Sequence, residues 1–287
     1  MSCKPTVSIL MTAYNSAPYI EEAIMSIIDQ DFIDWELIVV DDESTDDTLS
    51  IIEGIADPRI RAYPISHVGH AAAKKEAFKH ATGEFITFFD SDDVAHPQWL
   101  SSLYGACVET GADVSACRFS FWRSGQPTIK RYEGELKTTV WDSLRMVPLF
   151  GSQIRQVLWN KLYRRRVFDG FEFPMMNPAS DVATCYQLVG AANKVALTLR
   201  SLVFYRQHDQ SISALHKPKL ETYLPHRFAL YDNVLEYSWE KFPQGKSTYG
   251  LIAKRELQKL KDAGLEDCIP PDVLERMEAK AKFAKED

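Results

Sequence analysis

The sequence predicts an α/β fold, a mostly parallel central sheet flanked by helices, and three observations carry that prediction. Short apolar runs of the kind that form buried strands recur at Val7–Met11, Leu37–Val40 and Phe85–Phe89. The segments between them carry apolar residues at helical spacing. The connections are short, and strands that alternate with helices in this way pair in parallel with the helices on the sheet's faces.

Val7–Met11 is the first strand, and Thr12-Ala13-Tyr14-Asn15 leads into a helix that begins near Ser16 with Pro18 in its first turn. Ile20, Ala23, Ile24, Ile27 and Ile28 give that helix its core face. The second strand, Leu37–Val40, ends in Asp41-Asp42-Glu43. Ser44 or Thr45 caps the next helix, whose inner stripe is Leu49, Ile52 and Ile55. An Asp57-Pro58 turn starts a third strand, Arg59–Ile65, and a third helix, Ala71–Ala81, is stopped by Gly83. After the fourth strand come a helix at Trp99–Thr110 and a strand at Asp113–Phe119. A hairpin turn at Gly125-Gln126-Pro127 marks a more mixed region. Asp181–Ala192 reads as a helix and Lys194–Leu202 as a strand. From Lys217 the composition turns charged and helix-favouring, with breaks at Pro243 and Pro270-Pro271, so residues 217–287 are expected to form a helical C-terminal extension to a domain at 1–216.

Composition narrows the function. The chain has 287 residues, a net charge of -7 and a hydrophobic fraction of 45%. It can bury a sizeable core, and its charge argues against a general nucleic-acid binder. The 5 cysteines are scattered, with no Cys-x-x-Cys pair, which suits reduced thiols rather than a disulfide framework or a zinc site. Val7–Met11 is too short for a signal peptide, and no apolar run approaches the ~18 residues of a membrane span. A cytoplasmic protein is expected, with room for peripheral association at the inner face of a membrane.

The fourth strand runs straight into Asp90-Ser91-Asp92-Asp93. In open α/β sheets ligands bind at that carboxyl end. Three carboxylates massed there are costly without a positive charge, and a divalent cation is the simplest one. An Asp-x-Asp seen alone would more often be an acidic surface turn. Its place behind three strand–helix units argues otherwise. The architecture is Rossmann-like, but no Gly-x-Gly-x-x-Gly follows the first strand, which excludes a dehydrogenase fingerprint.

Four blocks in one order, Val7 to Asn15, Val39 to Asp46, Ala81 to Phe85 and Asp90 to Asp93, resemble the inverting family 2 glycosyltransferases. The resemblance is close to about residue 100 and looser to Ser213, through Trp159-Asn160-Lys161-Leu162-Tyr163 and Tyr205-Arg206-Gln207-His208. It implies an A-type glycosyltransferase fold, a nucleotide-binding half at 1–110 and an acceptor-binding half at 111–216. It also implies a UDP-sugar donor, a glycan or lipid-linked glycan acceptor, and Mn²⁺ or Mg²⁺ as cofactor.

By the same resemblance, Thr12, Ala13, Tyr14 and Asn15 line the nucleotide pocket, with Tyr14 on or near the base. Asp42 reads the base, since a carboxylate accepts the imide N–H of uracil but finds no donor at that ring nitrogen of cytosine. Asp41 is structural or capping. Lys74 offsets diphosphate charge, although Ala73-Lys74-Lys75-Glu76 departs from the family's Ala-Arg-Asn, and an exposed helical lysine is the plain alternative. Asp90 and Ser91 approach the ribose or the metal shell, and Asp92 ligates the metal. Asp93 caps a helix or serves as a hydrogen-bond partner. Asp181 is the general base. Ser180 stands where the family often has Glu, so a simple N-terminal helix acid is the alternative reading. His208 is a third metal ligand or a diphosphate contact, or an ordinary loop residue. Trp159, Asn160 and Lys161 line the acceptor side, or Trp159 belongs to the core. Arg164 to Arg166 form a solvated face, or meet a phosphate-bearing acceptor or an anionic membrane surface.

A sugar nucleotidyltransferase is a second class, but the segment after the first strand lacks the glycine-rich loop such enzymes carry. A non-catalytic nucleotide-sugar-binding module is a third. The tail from Lys217 leaves room for a homodimer contact.

Overall fold

The computed structural model describes residues 4–123, 127, 131–134, 136–142, 156–175, 180–209, 232, 235 and 246–284. The strands are β1 Val7–Ala13, β2 Trp35–Asp42, β3 Ile60–Ile65, β4 Phe85–Asp90, β5 Val94–Ala95, β6 Val114–Trp122, β7 Thr138–Asp142, β8 Lys161–Arg164 and β9 Lys194–Arg206. The helices are α1 Ile20–Ile28, α2 Thr48–Gly54, α3 His70–His80, α4 Trp99–Thr110, α5 Ser180–Ala191, α6 Lys246–Ala263 and α7 Pro271–Ala281.

One sheet runs β3-β2-β1-β4-β8-β6-β9-β5, with β7 also on β9. The first half is wholly parallel. β8 then runs against both β4 and β6, while β9 lies parallel to β6. The order reverses at β1, between β2 and β4, so the crevice at their carboxyl ends is a topological switch point. Register brings Thr12 of β1 opposite Val40 on one side and Asp90 on the other.

Strand alternation sorts the core into two layers. Val7, Ile9 and Met11 join Leu37 and Val39 in packing against Ile20, Ala23, Ile24 and Ile27 of α1 and the Trp99 end of α4. Leu10, Ile38, Val40, Ile86 and Phe88 face the other way, toward Ala73 and Ala77 of α3 and Leu188 and Val189 of α5. Tyr249, Ala253, Leu257 and Met277 of the C-terminal helix pair belong to this second layer. α7 begins at Pro271, at the expected break. The boundary near Lys217, the break at Pro243 and the expected turn at Gly125 lie outside the described residues. No helix among the described residues is long and apolar enough to cross a membrane.

Several local expectations are corrected. α1 starts at Ile20 rather than near Ser16. Ser16 to Tyr19 is a turn in which the Ser16 carbonyl accepts from Tyr19 and Ile20, both at 2.9 Å. Ser44 and Thr45 do not cap α2. Asp46 receives the Thr48 N–H at 3.1 Å, and the other two residues turn toward Asn15. β9 continues to Arg206, four residues past the expected end at Leu202, because β6 and β5 both pair along it. β5, β7 and β8 were not foreseen as strands. They are short or polar, and pairing partners rather than propensity define them.

Gly83 acts by closeness rather than by a left-handed helix end. Its N–H donates to Ser8 Oγ at 2.8 Å, and a Cβ there would lie 2.7 Å from the Ser8 nitrogen and 2.9 Å from the Val7 carbonyl carbon. Those atoms are backbone of a buried strand and have little room to yield. Gly83→Ala is therefore expected to destabilise the protein by roughly 1–3 kcal/mol. Urea unfolding should show a lower midpoint at an unchanged slope.

Candidate active site

The carboxyl ends of β1, β2 and β4 each deliver polar groups to one edge. Asp90 ends β4, and a turn then carries Asp92 and Asp93. Carboxylate oxygens from Asp90, Asp92 and Asp93 lie within 4.8 Å of one another. Burial, reinforced by the neighbouring Asp92 and Asp181 charges, pushes Asp90 up to about 7 even against the pull of Lys74. Asp93 is fully buried and is driven well above the carboxylate range by burial and by the Asp92 and Asp90 charges. Asp93 Oδ2 has no hydrogen-bond partner among the described residues. A compact set of hard oxygen atoms, crowded and under-compensated, fits a divalent cation.

Protein cations reach this cluster from β9. The Arg206 backbone N–H donates to Asp93 Oδ1 at 2.9 Å, and its Nε donates to the Asp92 carbonyl at 2.6 Å. Its Nη2 reaches Glu22 of α1 at 2.6 Å, and the guanidinium lies 3.9 Å over the Trp122 ring. His208 Nε2 sits 2.9 Å from Asp92 Oδ2 and its ring packs 4.3 Å from Tyr19. His208 thus lies in the site, in contact with Asp92. Ser91 is nearly buried and its hydroxyl meets Ser16 at 2.8 Å.

A second polar group lies on the α3 and α5 side. Lys74 of α3 is buried, not the exposed helical lysine of the alternative reading, and donates to Asp181 Oδ1 of α5 at 2.6 Å. Burial works to raise the Asp181 pKa, but the Lys74 charge and the bonds from Lys74 and Ser180 hold it below the usual range. His70, which opens α3, joins the group. Its Nδ1 lies 3.1 Å from Thr12 Oγ1 and its Nε2 4.0 Å from Asp181 Oδ1. Burial, with help from the Lys74 charge, lowers His70 to about 4, so the ring is neutral at pH 7.

The expected base-reading corner is occupied by the protein itself. Asp42 is buried, with Oδ1 accepting Val68 N–H at 2.8 Å and Oδ2 accepting Gly69 N–H at 3.0 Å. His67 Nδ1 lies 3.0 Å from Asp42 Oδ2, and its ring packs against Tyr14 at 4.8 Å. Ala13 is buried beneath this corner. Asn15 uses its backbone N–H and Oδ1 to tie Ser44 and Thr45 to the β1 loop. Asp41 accepts the Ser44 N–H at 3.1 Å, the structural role expected of it. A groove of about 380 Å³ opens beside this corner between Ser66, Val68, Lys75 and Met175.

The structure brings Asp90, Asp92 and His208 together at the end of β4, and sets Lys74 against Asp181 and Thr12 against His70. It does not bring the Trp159 segment there. Trp159, Asn160 and Lys161 are buried, with Asn160 bound to the Cys117 carbonyl and Lys161 Nζ to the Val157 carbonyl at 2.6 Å. These residues are core rather than acceptor lining. Arg164 to Arg166 are likewise engaged internally, with Glu84, the Gly83 carbonyl and Asp113. Sequence reasoning missed His67, His70 and Arg206 as site residues. Arg206 lies two positions before His208 in a segment already singled out; His67 lies in the loop that leads into α3, and His70 is that helix's first residue.

The fold and this edge define an α/β protein with an acidic cluster at the switch point of its sheet. A family model for Glycosyl transferase family 2 matches residues 8–171, and the chain belongs to that family. It is 28% identical over 229 residues to the glycosyltransferase GlyG of Streptococcus pneumoniae, 72% of this chain and 72% of that protein. It is 40% identical over 97 residues, 33% of this chain and 37% of the other, to WfgD of Escherichia coli, a UDP-Glc:alpha-D-GlcNAc-diphosphoundecaprenol beta-1,3-glucosyltransferase. Other curated relatives match over only about two thirds of their own length, 65% and 66%. A crystal structure of S. aureus TarS in complex with UDP-GlcNAc shares the fold, with a TM-score of 0.73 at 19% identity over 97% of this chain and 80% of that one.

The His70 shift has a pH consequence. Its folded pKa, about 4, lies below the ordinary 6.5, so between those values the unfolded chain binds more protons. The contribution is complete above pH 6.5 and is lost as pH falls toward 4. It amounts to no more than about 3 kcal/mol, and solvent at the partly exposed ring reduces it. Urea unfolding at pH 7 and pH 5 should show a steeper loss for wild type than for His70→Gln.

Proposed function

We propose that the protein is an inverting glycosyltransferase that moves a sugar from a UDP-sugar to a hydroxyl of a glycan or lipid-linked glycan. The observation that carries this reading is the carboxylate cluster at the switch point, together with the contact between buried Lys74 and partly exposed Asp181, in a member of family 2. WfgD uses UDP-Glc and a lipid-linked acceptor, and TarS binds UDP-GlcNAc, which supports a UDP-sugar here. A lipid-linked acceptor would hold the reaction at the inner face of the membrane. We read residues 1–216 as the transferase domain and 217–287 as its helical extension.

Asp90 and Asp92 would hold Mn²⁺ or Mg²⁺, with His208 beside Asp92 as a third ligand or a diphosphate contact and Ser91 fixing the turn. When bound, the ion supplies charge stabilisation for the departing diphosphate. Thr12, Ala13, Tyr14 and Asn15 shape the nucleoside pocket, and Asp42 accepts the uracil imide N–H. The acceptor hydroxyl attacks the anomeric carbon opposite the leaving group, and Asp181 takes its proton as the new bond forms. Lys74 keeps Asp181 ionised until then, at some cost in basicity. An incoming diphosphate is a competing anion for Lys74, and any shift of the ammonium toward it leaves Asp181 a stronger base.

Calorimetric titration of UDP in Mn²⁺ and in EDTA, with GDP and TDP as controls, tests the donor site. We expect metal-dependent UDP binding, and Asp92→Ala to weaken it at least roughly tenfold, about 1.4 kcal/mol. Unchanged turnover in Asp92→Ala would overturn the site assignment. Asp181→Asn is expected to retain or improve UDP affinity, because Lys74 is released, while transfer is abolished. Normal transfer by that variant would place the base elsewhere.

A further inference from the structure

His67 makes the two contacts that the proposed function gives to the nucleobase. Its Nδ1 faces Asp42 Oδ2 at 3.0 Å and the Asp42 carbonyl oxygen at 3.1 Å. Both neighbours are acceptors, so Nδ1 carries the hydrogen, and the ring presents an N–H to Asp42 as the imide of uracil would. The same ring lies against Tyr14 with a centroid distance of 4.8 Å and a tilt of 40°. Asp42 has little capacity left. Its other bonds go to the Val68 and Gly69 backbone, and it is 3% exposed.

The His67 side chain, by contrast, is 54% exposed. Its backbone is held independently, by an N–H bond to Glu43 Oε2 at 3.0 Å. Gly69, at φ 84°, takes the turn that aims the Val68 and Gly69 amides at Asp42 without help from the imidazole. The ring can therefore leave while the loop stays anchored, and only side-chain rotation into solvent is required.

We propose that His67 is a specificity-determining residue of the donor site, holding the nucleobase position when no nucleotide is bound and leaving as a base with a ring N–H takes over Asp42 and Tyr14. This rests on the reading of Asp42 and Tyr14 as the base-binding pair. A base that presents an acceptor at that ring nitrogen, as cytosine does, cannot restore the hydrogen bond that His67 gives up. Such a base leaves a buried carboxylate short of a donor.

The test is calorimetric titration of UDP, with Mn²⁺ present, into wild type, His67→Ala and Asp42→Asn, with circular dichroism to check folding. His67→Ala should bind UDP roughly three- to tenfold more tightly, the fold-change that corresponds to one hydrogen bond no longer displaced. Asp42→Asn should bind it more weakly. Equal or weaker binding by His67→Ala, with Asp42→Asn still impaired, overturns the role of His67 and leaves the base-binding reading intact. Unimpaired binding by Asp42→Asn overturns that reading and the proposal with it. A measurement on the unmutated protein gives a second check. The imidazole ¹⁵N signals of His67 should move toward those of a solvent-exposed ring as UDP is added, and signals that stay fixed at saturation overturn the displacement.

Discussion

Crowding of like charge at the end of β4 governs how the second half of the chain has to fold. Asp90, Asp92 and Asp93 sit with their oxygens within 4.8 Å, and Asp93 is wholly buried. Buried carboxylates without partners cost several kcal/mol each. Lys74 of α3 supplies positive charge near Asp90. Further compensation comes from Arg206, more than a hundred residues further on at the end of β9, and His208 just beyond it is hydrogen-bonded to Asp92. That requirement explains why β9 runs past Leu202 to Arg206 and why β5, only two residues long, is paired to it beside the acidic turn.

The parallel half of the fold was legible because β1, β2 and β4 are short buried apolar runs and the helices between the strands repeat at the helical period. Met11 and Leu10 go to opposite layers as strand alternation requires. The acidic turn was legible from its place at the carboxyl end of a fourth strand behind three strand–helix units, since an Asp-x-Asp alone is more often a surface turn. The antiparallel half was not. Lys161 and Asn160 are polar yet fully buried, satisfied by each other and by the Val157 and Cys117 carbonyls, and no periodicity announces such an arrangement. His67 and His70 escaped notice for a related reason. One histidine is a half-exposed donor to Asp42 and the other a partly exposed neutral ring beside Thr12, and only their neighbours distinguish them.

The Lys74–Asp181 contact joins two roles that the sequence presents separately. Lys74 reads as a cation for the donor and Asp181 as a base for the acceptor. Their 2.6 Å bond makes each the other's reservoir of charge, across the 107 residues that separate them in the chain. A base tied to a lysine is dependably ionised and correspondingly weak. With Asp181 as the base we propose, the pairing couples the strength of that base to whatever else Lys74 can reach. Donor occupancy is the natural signal, since a diphosphate carries the charge that competes for the ammonium.

Rigidity at the same edge comes from polar cross-links between loops rather than from packing. Asn15, held at φ 48°, ties the β1 loop to Ser44 and Thr45. Ser16 ties it to Ser91, and Asp42 ties the end of β2 to the amides of Val68 and Gly69. Each loop is fixed by a neighbour, so backbone movement in one would break bonds in another. Side-chain rotation carries no such penalty. Within this framework the half-exposed imidazole of His67 can move alone, because its backbone bond to Glu43 and the glycine turn behind it do not depend on where the ring points. A scaffold fixed in this way confines adaptation to single rings, which is how a preformed crevice can exchange an internal hydrogen bond for a ligand's without reordering its loops.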